Sequence, residues 1–316
     1  MRTSGSRWPH EPVLLDEVVA ALQPASGGRF VDGTVGGGGH AARILERTTP
    51  NGRLLGMDVD SRALEVARER LAPFGERAVL VQANFASCDD VAGQHGFLGC
   101  DGVLFDLGLS SIQLADDSRG FSFRSEGPLD MRADPGLELT AADLVNGTNE
   151  RELARIFAEY GDEPEARRIA AAVSRRRTTR PFETAADLGR FVAGVKQKRP
   201  RSVDPSTRVF QALRIAVNHE LENLEQGLAA ALRILRPGGR LAVISFHSLE
   251  DRVVKTFMAR ESRDCICPPH LPTCVCGHRA GLRIVTRRPV RPDAAEVERN
   301  PRTRSAVLRV AEKIAS

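Results

Sequence analysis

Short apolar runs alternate with helical patterns along the N-terminal third of the chain, and this alternation constrains the fold more than any other feature. The runs cover residues 30–31, 54–57, 79–81 and 103–105. Each is bounded by turn residues, which is typical of a strand buried on both faces. Between the second and third runs, Ser61 is a good N-cap, and Leu64, Ala67 and Leu71 share one helical face. Repeated strand–helix–strand units predict an α/β fold with a doubly wound, mostly parallel sheet.

The pattern changes after the fourth run. Residues 114–205 contain no further buried-strand run, and helical patterns occur at 141–144, 150–160, 165–176 and 184–195. We therefore predict a helical domain at 114–205, inserted into a sheet domain formed by 1–113 and 206–316.

A long helix starting near Ser206 is predicted to return the chain to the sheet domain. Leucine and valine recur every three or four residues from Leu213 to Leu235, as one continuous apolar stripe. The turn Pro237-Gly238-Gly239 would end this helix. A fifth strand at 241–246 and two last strands at 283–286 and 306–310 complete the predicted sheet.

Charge is distributed unevenly along the chain. The formal net charge is +4, but residues 165–214 carry +9, residues 252–316 carry +8 and the remainder carries −13. An acidic body with two basic surfaces favours a polyanionic partner, although basic surfaces can also serve only solubility.

The N-terminal residues 1–12 contain no apolar stretch, so we expect no secretory signal. No run of 18 apolar residues occurs, so we expect no membrane span and no membrane partner. Two scattered cysteines and one tight cluster of four do not resemble a disulfide framework, which favours a cytoplasmic protein.

A glycine-rich loop at 32–40 follows the first strand and precedes a helix, and Asp58 ends the second strand. Such a loop lets backbone approach a ligand, and an acidic residue at the second strand can accept ribose hydroxyls, so the combination predicts nucleoside binding. Gly37, Gly39 and Ala42 formally match the dinucleotide fingerprint, so the loop alone leaves NAD open. Asp32 directly before the loop, and the turn at 235–241, are instead typical of class I methyltransferases.

Six motifs together resemble the RsmH (formerly MraW) family, and the resemblance runs from about residue 10 to residue 310. They are HEPVLL at 10–15, the loop at 32–40, FDLGLSS at 105–111, RGFSF at 119–123, GPLDMR at 127–132 and SFHSLED at 245–251. The resemblance implies a class I (Rossmann-like) methyltransferase with an inserted helical substrate domain. It also implies methyl transfer from S-adenosylmethionine to N4 of a cytidine in the decoding region of 16S rRNA, cytidine 1402 in standard rRNA numbering.

The same resemblance implies a set of cofactor contacts. The loop would contribute Gly38, Gly39 and His40, with Asp58 at the ribose and Phe85 near the adenine. Asp106 and Gln113 would close the site after the fourth strand. The alternatives are that Phe85 is an ordinary core residue and Gln113 a solvated loop residue.

Catalysis would rest on aligning N4 with the methyl group, aided by an acceptor for an amino hydrogen. We expect Asp106, or a carbonyl of the Leu107-Gly108 turn, to be that acceptor. Many amino-methyltransferases have an acidic or amide residue followed by Pro-Pro and an aromatic at this point, and this chain departs from that pattern. His247 is the second catalytic candidate, and Glu250 or Asp251 could instead hold it in a structural role.

The RNA partner would be 16S rRNA, recognised by its shape within the small ribosomal subunit rather than bound as a free strand. Its target base would have to be extruded from the folded RNA. Phosphates would be held by basic residues of the insertion, including Arg175-Arg176-Arg177 and residues 196–201.

Cys265, Cys267, Cys274 and Cys276 form a C-x-C-x6-C-x-C pattern, with His270 and His278 close by. Four thiolates can bind zinc, but the common spacing is C-x-x-C, so we expect reduced thiols and no metal.

Three other functions stay open on the residues alone. They are an NAD(P)-dependent oxidoreductase, a non-catalytic RNA-binding assembly factor with a relic pocket, and methylation of a protein or small molecule. The intact loop and Asp106 weigh against a relic pocket.

Overall fold

All seven predicted strands form a single sheet in the computed structural model, which describes residues 12–196, 204–268, 271 and 273–315. The strand order is β3-β2-β1-β4-β5-β7-β6, in which β1 to β5 run parallel and β7 is antiparallel to both β5 and β6. The strands are β1 (Arg29–Asp32), β2 (Arg53–Asp58), β3 (Ala78–Gln82), β4 (Cys100–Asp106), β5 (Leu235–Ser245), β6 (Leu282–Ile284) and β7 (Val307–Lys313). This order and the single reversed strand confirm the predicted class I methyltransferase fold.

Thirteen α-helices occur among the described residues. The first four are α1 (Leu15–Leu22), α2 (Gly39–Arg47), α3 (Ser61–Leu71) and α4 (Cys88–His95). The next six are α5 (Ser111–Ala115), α6 (Ala141–Gly147), α7 (Glu150–Gly161), α8 (Ala166–Arg177), α9 (Ala185–Val195) and α10 (Thr207–Asn218). The last three are α11 (Glu220–Ile234), α12 (Ser248–Glu261) and α13 (Ala294–Arg299). No helix in this part of the chain is both long and apolar enough to cross a bilayer.

The chain divides into two units, which we call the sheet unit (Met1–Gly108 and Leu221–Ser316) and the helical unit (Leu109–Glu220). The predicted domain boundaries lay at 113/114 and 205/206, so the helical unit takes in α10 and a few more residues at each end than the predicted insertion.

The sheet unit has a core on each face of the sheet, because successive strand side chains point to opposite faces. Leu54 and Leu104 pack on one face with residues of α1, α2 and α3. Leu55 and Val103 pack on the other face with residues of α4, α11 and α12. Burial on both faces explains why these strands appear in the sequence as continuous apolar runs.

The predicted single helix from Ser206 to Leu235 is wrong, because the chain breaks at His219. His219 adopts a left-handed conformation with φ of 50°, which ends α10, and α11 begins at Glu220. The apolar stripe continues through the break, but Leu213 belongs to the core of the helical unit and Leu224 to a core of the sheet unit. Periodicity alone could not reveal the break, since both segments have an apolar face.

Asn218 fixes the end of α10 within the helical unit. Its side-chain amide donates to the carbonyl oxygens of Met131 (2.8 Å) and Arg214 (2.9 Å), and its Oδ1 accepts from the amide of Ala133 (2.6 Å). Met131 itself has a left-handed φ of 63°. The GPLDMR motif is therefore held by a buried asparagine, which gives that motif a structural function.

Two smaller predictions also differ from the structure. The N-cap of α3 is Asp60, whose Oδ1 accepts from the amide of Arg62 (3.0 Å), and not Ser61, which is the first helical residue. The Pro237-Gly238-Gly239 turn lies inside β5 as a bulge, since the pairing with β4 jumps from Leu235 to Arg240. Gly238 allows the bulge because it adopts a φ of 79°.

The predicted phosphate contacts of the helical unit need correction at two residues. Lys196 is buried, and its Nζ lies 2.5 Å from Glu163 Oε2 and 2.7 Å from the carbonyl oxygen of Pro205. Arg176 pairs with Asp187 at 2.6 Å and stacks on the ring of Phe182. Neither side chain can reach a phosphate without losing these partners. Arg175 is exposed, and residues 197–201 lie outside the described part of the chain.

The buried pair of Glu163 and Lys196 yields a stability prediction. Lys196→Met leaves the Glu163 carboxylate buried without its counter-ion, so we expect the helical unit to lose about 3–5 kcal/mol of unfolding free energy. Adding Glu163→Gln removes the second charge and should restore a large part of the loss. The measurement is amide hydrogen exchange in the helical unit as a function of urea.

A matched control is Arg190→Met, which breaks the exposed pair between Arg190 and Glu126. Exposed pairs contribute little, so this variant should resemble the wild type. A double variant as unstable as Lys196→Met alone would contradict the role assigned to the buried charges.

Candidate active site

Three carboxyl groups meet at the edge of the sheet where the parallel strands end. Asp32, Asp58 and Asp106 are the last residues of β1, β2 and β4, which are neighbours in the order β2-β1-β4. Ligands of doubly wound sheets bind at this edge. The topology therefore brings together Asp58 and Asp106, which were both predicted as site residues. It adds Asp32, which was predicted only as the residue that begins the loop.

The glycine-rich loop between β1 and α2 is shaped by positions where a side chain would not fit. The amide of Gly33 donates to the carbonyl oxygen of Leu104 (2.9 Å), and a Cβ on Gly33 would lie 2.5 Å from a ring carbon of Phe105. Gly36 and Gly38 adopt left-handed φ values of 50° and 75°. Gly38 is also the N-cap of α2 and offers no side chain to its first turn. The first amides of α2 can thus face a ligand.

Asp58 holds the loop in place. Its Oδ2 accepts from the amide of Gly36 (2.9 Å), and its Oδ1 accepts from the amide of Asp60 (2.9 Å). A carboxylate has about four acceptor sites, so these two bonds leave capacity for hydroxyl donors of a ligand. The predicted ribose contact is compatible with this geometry, and the loop-fixing role was not anticipated.

Asp106 is tied to the loop through its backbone. Its amide donates to Thr34 Oγ1 (2.6 Å), while its Oδ1 is buried and has no hydrogen-bond partner in the described part of the chain. The side chain as a whole keeps 23% of its surface exposed. An unpartnered buried oxygen beside an accessible face suits an acceptor that awaits a donor from a ligand.

His40 presents a second acceptor to the same space. Burial lowers the pKa of His40 to about 4, so the ring is neutral near pH 7. Its Nε2 lies 2.9 Å from the carbonyl oxygen of Val13, which assigns the ring proton to Nε2. The lone pair of Nδ1 then lies 3.7 Å from Asp106 Oδ2, which is too far for a hydrogen bond.

The acidic residues at the sheet edge resist ionisation. Burial raises the pKa of Asp32 to about 7, with a further increase from the nearby Asp58 carboxylate. Burial likewise raises the pKa of Asp58 to about 6, against the lowering effect of its amide hydrogen bonds. Burial, followed by Asp32 and Glu250, holds the pKa of Asp106 well above its ordinary value. A cationic ligand would relieve this repulsion.

Phe85 follows β3 and packs at the same end of the sheet. Its ring centroid lies 5.0 Å from that of Phe105, and a Cβ on Gly227 would lie 2.5 Å from its Cδ2. Phe85 is only partly buried and packs against the core on this face of the sheet. This position is compatible with the predicted adenine contact and with a packing role.

His247 has a structural function in the sheet unit. It is the N-cap of α12, and its Nδ1 accepts from the amide of Glu250 (3.4 Å), while Glu250 Oε2 accepts from the amides of His247 (3.2 Å) and Phe246 (2.7 Å). Nε2 of His247 lies 3.1 Å from Glu250 Oε1, although not in hydrogen-bonding geometry. Asp251, the other partner considered, instead pairs with Arg309 (2.6 Å).

Glu250 and Thr34 also belong to the candidate site, although the sequence indicated Glu250 only as a structural partner of His247 and did not indicate Thr34. Glu250 is buried, caps α12 and contributes to the raised pKa of Asp106. Its signal was the three-residue spacing from His247, which is the spacing of a capping box. Thr34 gave no signal, because its bond to the Asp106 amide joins residues 72 positions apart.

Gln113 belongs to the helical unit and is buried there. Its Oε1 accepts from the amide of Ser110 (3.0 Å), and its own amide donates to Ser110 Oγ (3.1 Å), which forms a capping box at α5. A solvated loop residue is thus excluded for Gln113, and its predicted cofactor contact stays a prediction.

The residues at the sheet edge fit S-adenosylmethionine. This cofactor carries a cationic sulfonium, an ammonium group and two ribose hydroxyls. Asp32, Asp58, Asp106 and the Nδ1 lone pair of His40 supply acceptors and negative charge, and no cationic side chain neutralises Asp32 or Asp106 among the described residues. The glycine loop leaves room for the backbone to approach the ligand.

Comparisons with known proteins indicate a methylase family. A family model described as the MraW methylase family matches residues 7–314. The ribosomal RNA small subunit methyltransferase H of Thermomicrobium roseum is 53% identical over 306 residues, which cover 97% of this chain and 94% of that protein. The protein of the same name from Geobacter sulfurreducens is 53% identical over 307 residues, covering 96% and 99%. A solved rRNA methylase from Streptococcus thermophilus aligns at 12% identity with a TM-score of 0.42, covering 95% and 94%.

The raised pKa of Asp32 predicts how stability depends on pH in the ligand-free protein. Between its ordinary value of 3.8 and its folded value of about 7, the folded state keeps a proton that the unfolded state has lost. The unfolding free energy should therefore fall as pH rises from about 4 to about 7. Asp32→Asn removes this titration, so between pH 5 and pH 8 the variant should gain roughly 2–4 kcal/mol relative to the wild type.

Urea unfolding of both proteins at several pH values measures the effect. Asp90→Asn, which changes an exposed acid on α4, is the matched control and should follow the wild-type profile. Parallel profiles for the wild type and Asp32→Asn would show that Asp32 does not titrate in this range.

Proposed function

The chain belongs to the MraW methylase family, and we propose that it methylates 16S rRNA of the small ribosomal subunit with S-adenosylmethionine as the methyl donor. Its relatives at 53% identity carry the name ribosomal RNA small subunit methyltransferase H, which supports this substrate. The finer proposal is that the acceptor is N4 of a cytidine in the decoding region, cytidine 1402. Because the chain belongs to a methylase family, the alternative of an NAD(P)-dependent oxidoreductase is not supported.

The observation that carries the proposal is the uncompensated acidic edge of the sheet. Asp32, Asp58 and Asp106 all have raised pKa values, which a cationic ligand would lower. We propose that Gly38, Gly39 and His40 contact the cofactor through the start of α2, and that Asp58 binds its ribose. Phe85 would lie against the adenine, and Gln113 would contribute from the helical unit.

Bound S-adenosylmethionine supplies an activated methyl group on a sulfonium. The cytosine amino nitrogen is a poor nucleophile, because its lone pair is delocalised into the ring. An acceptor for one of its hydrogens localises that lone pair as the nitrogen attacks. Alignment of the nitrogen with the methyl carbon contributes the rest of the acceleration.

We assign the acceptor role to Asp106. Its Oδ1 is buried and unpartnered among the described residues, and a carboxylate with a raised pKa is a stronger proton acceptor once ionised. The alternative acceptor is a carbonyl oxygen of the Leu107-Gly108 turn, in which Gly108 adopts a left-handed φ of 91°. His247 is the weaker candidate, because its ring caps α12. Its function in catalysis would be to position Glu250, next to Asp106.

The helical unit is proposed to recognise the RNA, with the insertion at 114–205 as its predicted extent. Arg175 and Arg180 are exposed in this unit, and Arg287, Arg288 and Arg291 are exposed in the basic C-terminal segment of the sheet unit. Such side chains bind phosphates without reading bases. The chain has one Trp and one Tyr, so recognition by stacking on many bases is disfavoured. Extrusion of the target cytidine is required for the amino group to reach the methyl donor.

The acceptor role predicts a split between turnover and cofactor affinity. Asp106→Asn keeps the size of the side chain but cannot take a proton, so kcat should fall by about 100-fold or more. The Kd for S-adenosylmethionine should change by only a few-fold, and the decline of kcat at low pH should disappear. Steady-state kinetics across pH and isothermal titration measure the two effects.

Asp58→Asn provides the contrasting variant, which should weaken cofactor binding more than it lowers kcat at saturation. Wild-type turnover by Asp106→Asn with unchanged cofactor affinity would remove Asp106 from the mechanism and leave the 107–108 turn.

The substrate assignment predicts a single modified nucleotide. Small subunits that lack the modification, incubated with the protein and S-adenosylmethionine carrying a labelled methyl group, should yield N4-methylcytidine at cytidine 1402. Nuclease digestion and mass spectrometry identify the nucleoside and its position. Subunits that already carry the modification serve as the control and should accept no label. Label on C5 or on a ribose would refute N4, and no label on any small subunit or 16S rRNA would refute the rRNA methylase proposal.

A further inference from the structure

Four cysteine side chains converge in the segment at 262–281, between α12 and β6, outside the site described above. We propose that Cys265, Cys267, Cys274 and Cys276 bind one Zn²⁺ ion as a structural tetrathiolate site. This proposal reverses the expectation of reduced thiols, which rested on the tight C-x-C spacing. It is independent of the proposed methyl transfer.

The four sulfur atoms already have the spacing of a tetrahedral site. All of them lie within 4.8 Å of one another, with Cys274 Sγ 3.6 Å from Cys276 Sγ, and Cys276 Sγ 3.9 Å from Cys265 Sγ. With zinc–sulfur bonds of about 2.3 Å, the edge of a tetrahedron is about 3.8 Å. Two sulfur pairs thus match the edge, and no remaining pair exceeds it by more than about 1 Å.

Backbone amides point at these sulfurs, as they do when the sulfurs carry negative charge. The amide of Cys267 donates to Cys265 Sγ (3.4 Å), that of Ile266 to Cys276 Sγ (3.5 Å) and that of Val275 to Cys267 Sγ (3.4 Å). Two of these bonds connect the first C-x-C to the second. Amide donors stabilise thiolates, which are the form that binds zinc.

No apolar core supports this geometry among the described residues of the segment. Between residues 262 and 281 none of the described residues is buried, and none lies in a helix or strand. Val275 is 78% exposed. The other two cysteines, Cys88 and Cys100, are fully buried, as free cysteines usually are. An exposed group of four thiols without an apolar core is better explained by a metal cross-link.

Hydrogen bonds anchor the two ends of the segment. The nearby histidines are not needed as metal ligands, so the four thiols form the ligand set. The amide of Gly281 donates to the carbonyl oxygen of Glu261 (2.8 Å), and that of Ala280 to Asp264 Oδ1 (3.2 Å). His278 Nε2 lies 3.2 Å from the carbonyl oxygen of Arg260, so this histidine is occupied. His270, the other nearby histidine, lies outside the described residues.

Zinc fits this ligand set better than the alternatives. A polynuclear iron–sulfur cluster needs sulfurs bound to different irons, which lie farther apart than 4.8 Å permits. Two disulfides would require sulfur pairs at about 2.05 Å and would break the even spacing of the four atoms. A closed set of four thiolates with no open position indicates a structural ion rather than a catalytic one.

Elemental analysis of the full chain, purified without chelator, tests the proposal. We expect about one zinc per chain, with release of the metal when the thiols are titrated with a mercurial. Replacement by Co²⁺ should give the intense sulfur-to-cobalt absorption of a tetrathiolate. Cys274→Ser/Cys276→Ser should abolish zinc binding. Cys88→Ala, which removes a cysteine elsewhere in the sheet unit, is the matched control and should retain the ion.

Hydrogen exchange keeps the test decisive if the double variant folds poorly. In the wild type, removal of zinc by a chelator should raise amide exchange at least about tenfold within 265–276 and leave the strands of the sheet unchanged. A wild-type protein that holds no zinc after incubation with Zn²⁺ under reducing conditions would overturn the proposal. Iron in place of zinc, or intact-mass evidence for two disulfides in the purified protein, would overturn it as well.

Discussion

Burial of like charges at one edge of the sheet is the constraint on which the candidate site depends. Parallel strands all end at the same edge, so an acid that ends each of three neighbouring strands must share one small region. Asp32, Asp58 and Asp106 occupy these positions, and each carboxyl has a raised pKa, first because of burial. The apolar cores on both faces of the sheet supply the stability that this arrangement removes.

Asp58 and Asp106 also determine the shape of the candidate site, in addition to its charge. Asp58 accepts the amide of Gly36, and Thr34 accepts the amide of Asp106, so strands β2 and β4 together fix the loop that follows β1. Loop shape and electrostatics are therefore coupled in the sheet unit. A substitution at Asp58 changes both the negative charge and the position of the loop amides, whereas a substitution at Asp106 leaves its backbone bond to Thr34 intact.

Local sequence patterns predicted most helices and strands of this fold, but they failed where the structure depends on contacts between residues far apart in the chain. The seven strands and the fold class followed from apolar runs, because strands buried on both faces need them. The break at His219 did not follow, since Leu213 and Leu224 keep helical spacing while they belong to different cores. Asp58 was found through its position at the end of the second strand, after the glycine-rich loop. The position of Glu250 near Asp106 and the burial of Lys196 were not found, because only the folded chain shows which charges are enclosed and what faces them.

A contrast between two sets of buried charges supports the assignment of the sheet edge as the cofactor site. In the helical unit, the Glu163 carboxylate meets the Lys196 ammonium at 2.5 Å, so this pair is neutralised within the protein. In the sheet unit, Asp106 is buried near Asp32 and Glu250, Asp32 is buried near Asp58, and the histidine beside Asp106 is held neutral by burial. The protein thus neutralises the buried Glu163 with a lysine but provides no cationic side chain for Asp32 and Asp106 among the described residues. This difference indicates that a cationic ligand binds beside these two aspartates. Under the proposed function, the sulfonium of S-adenosylmethionine would supply that charge.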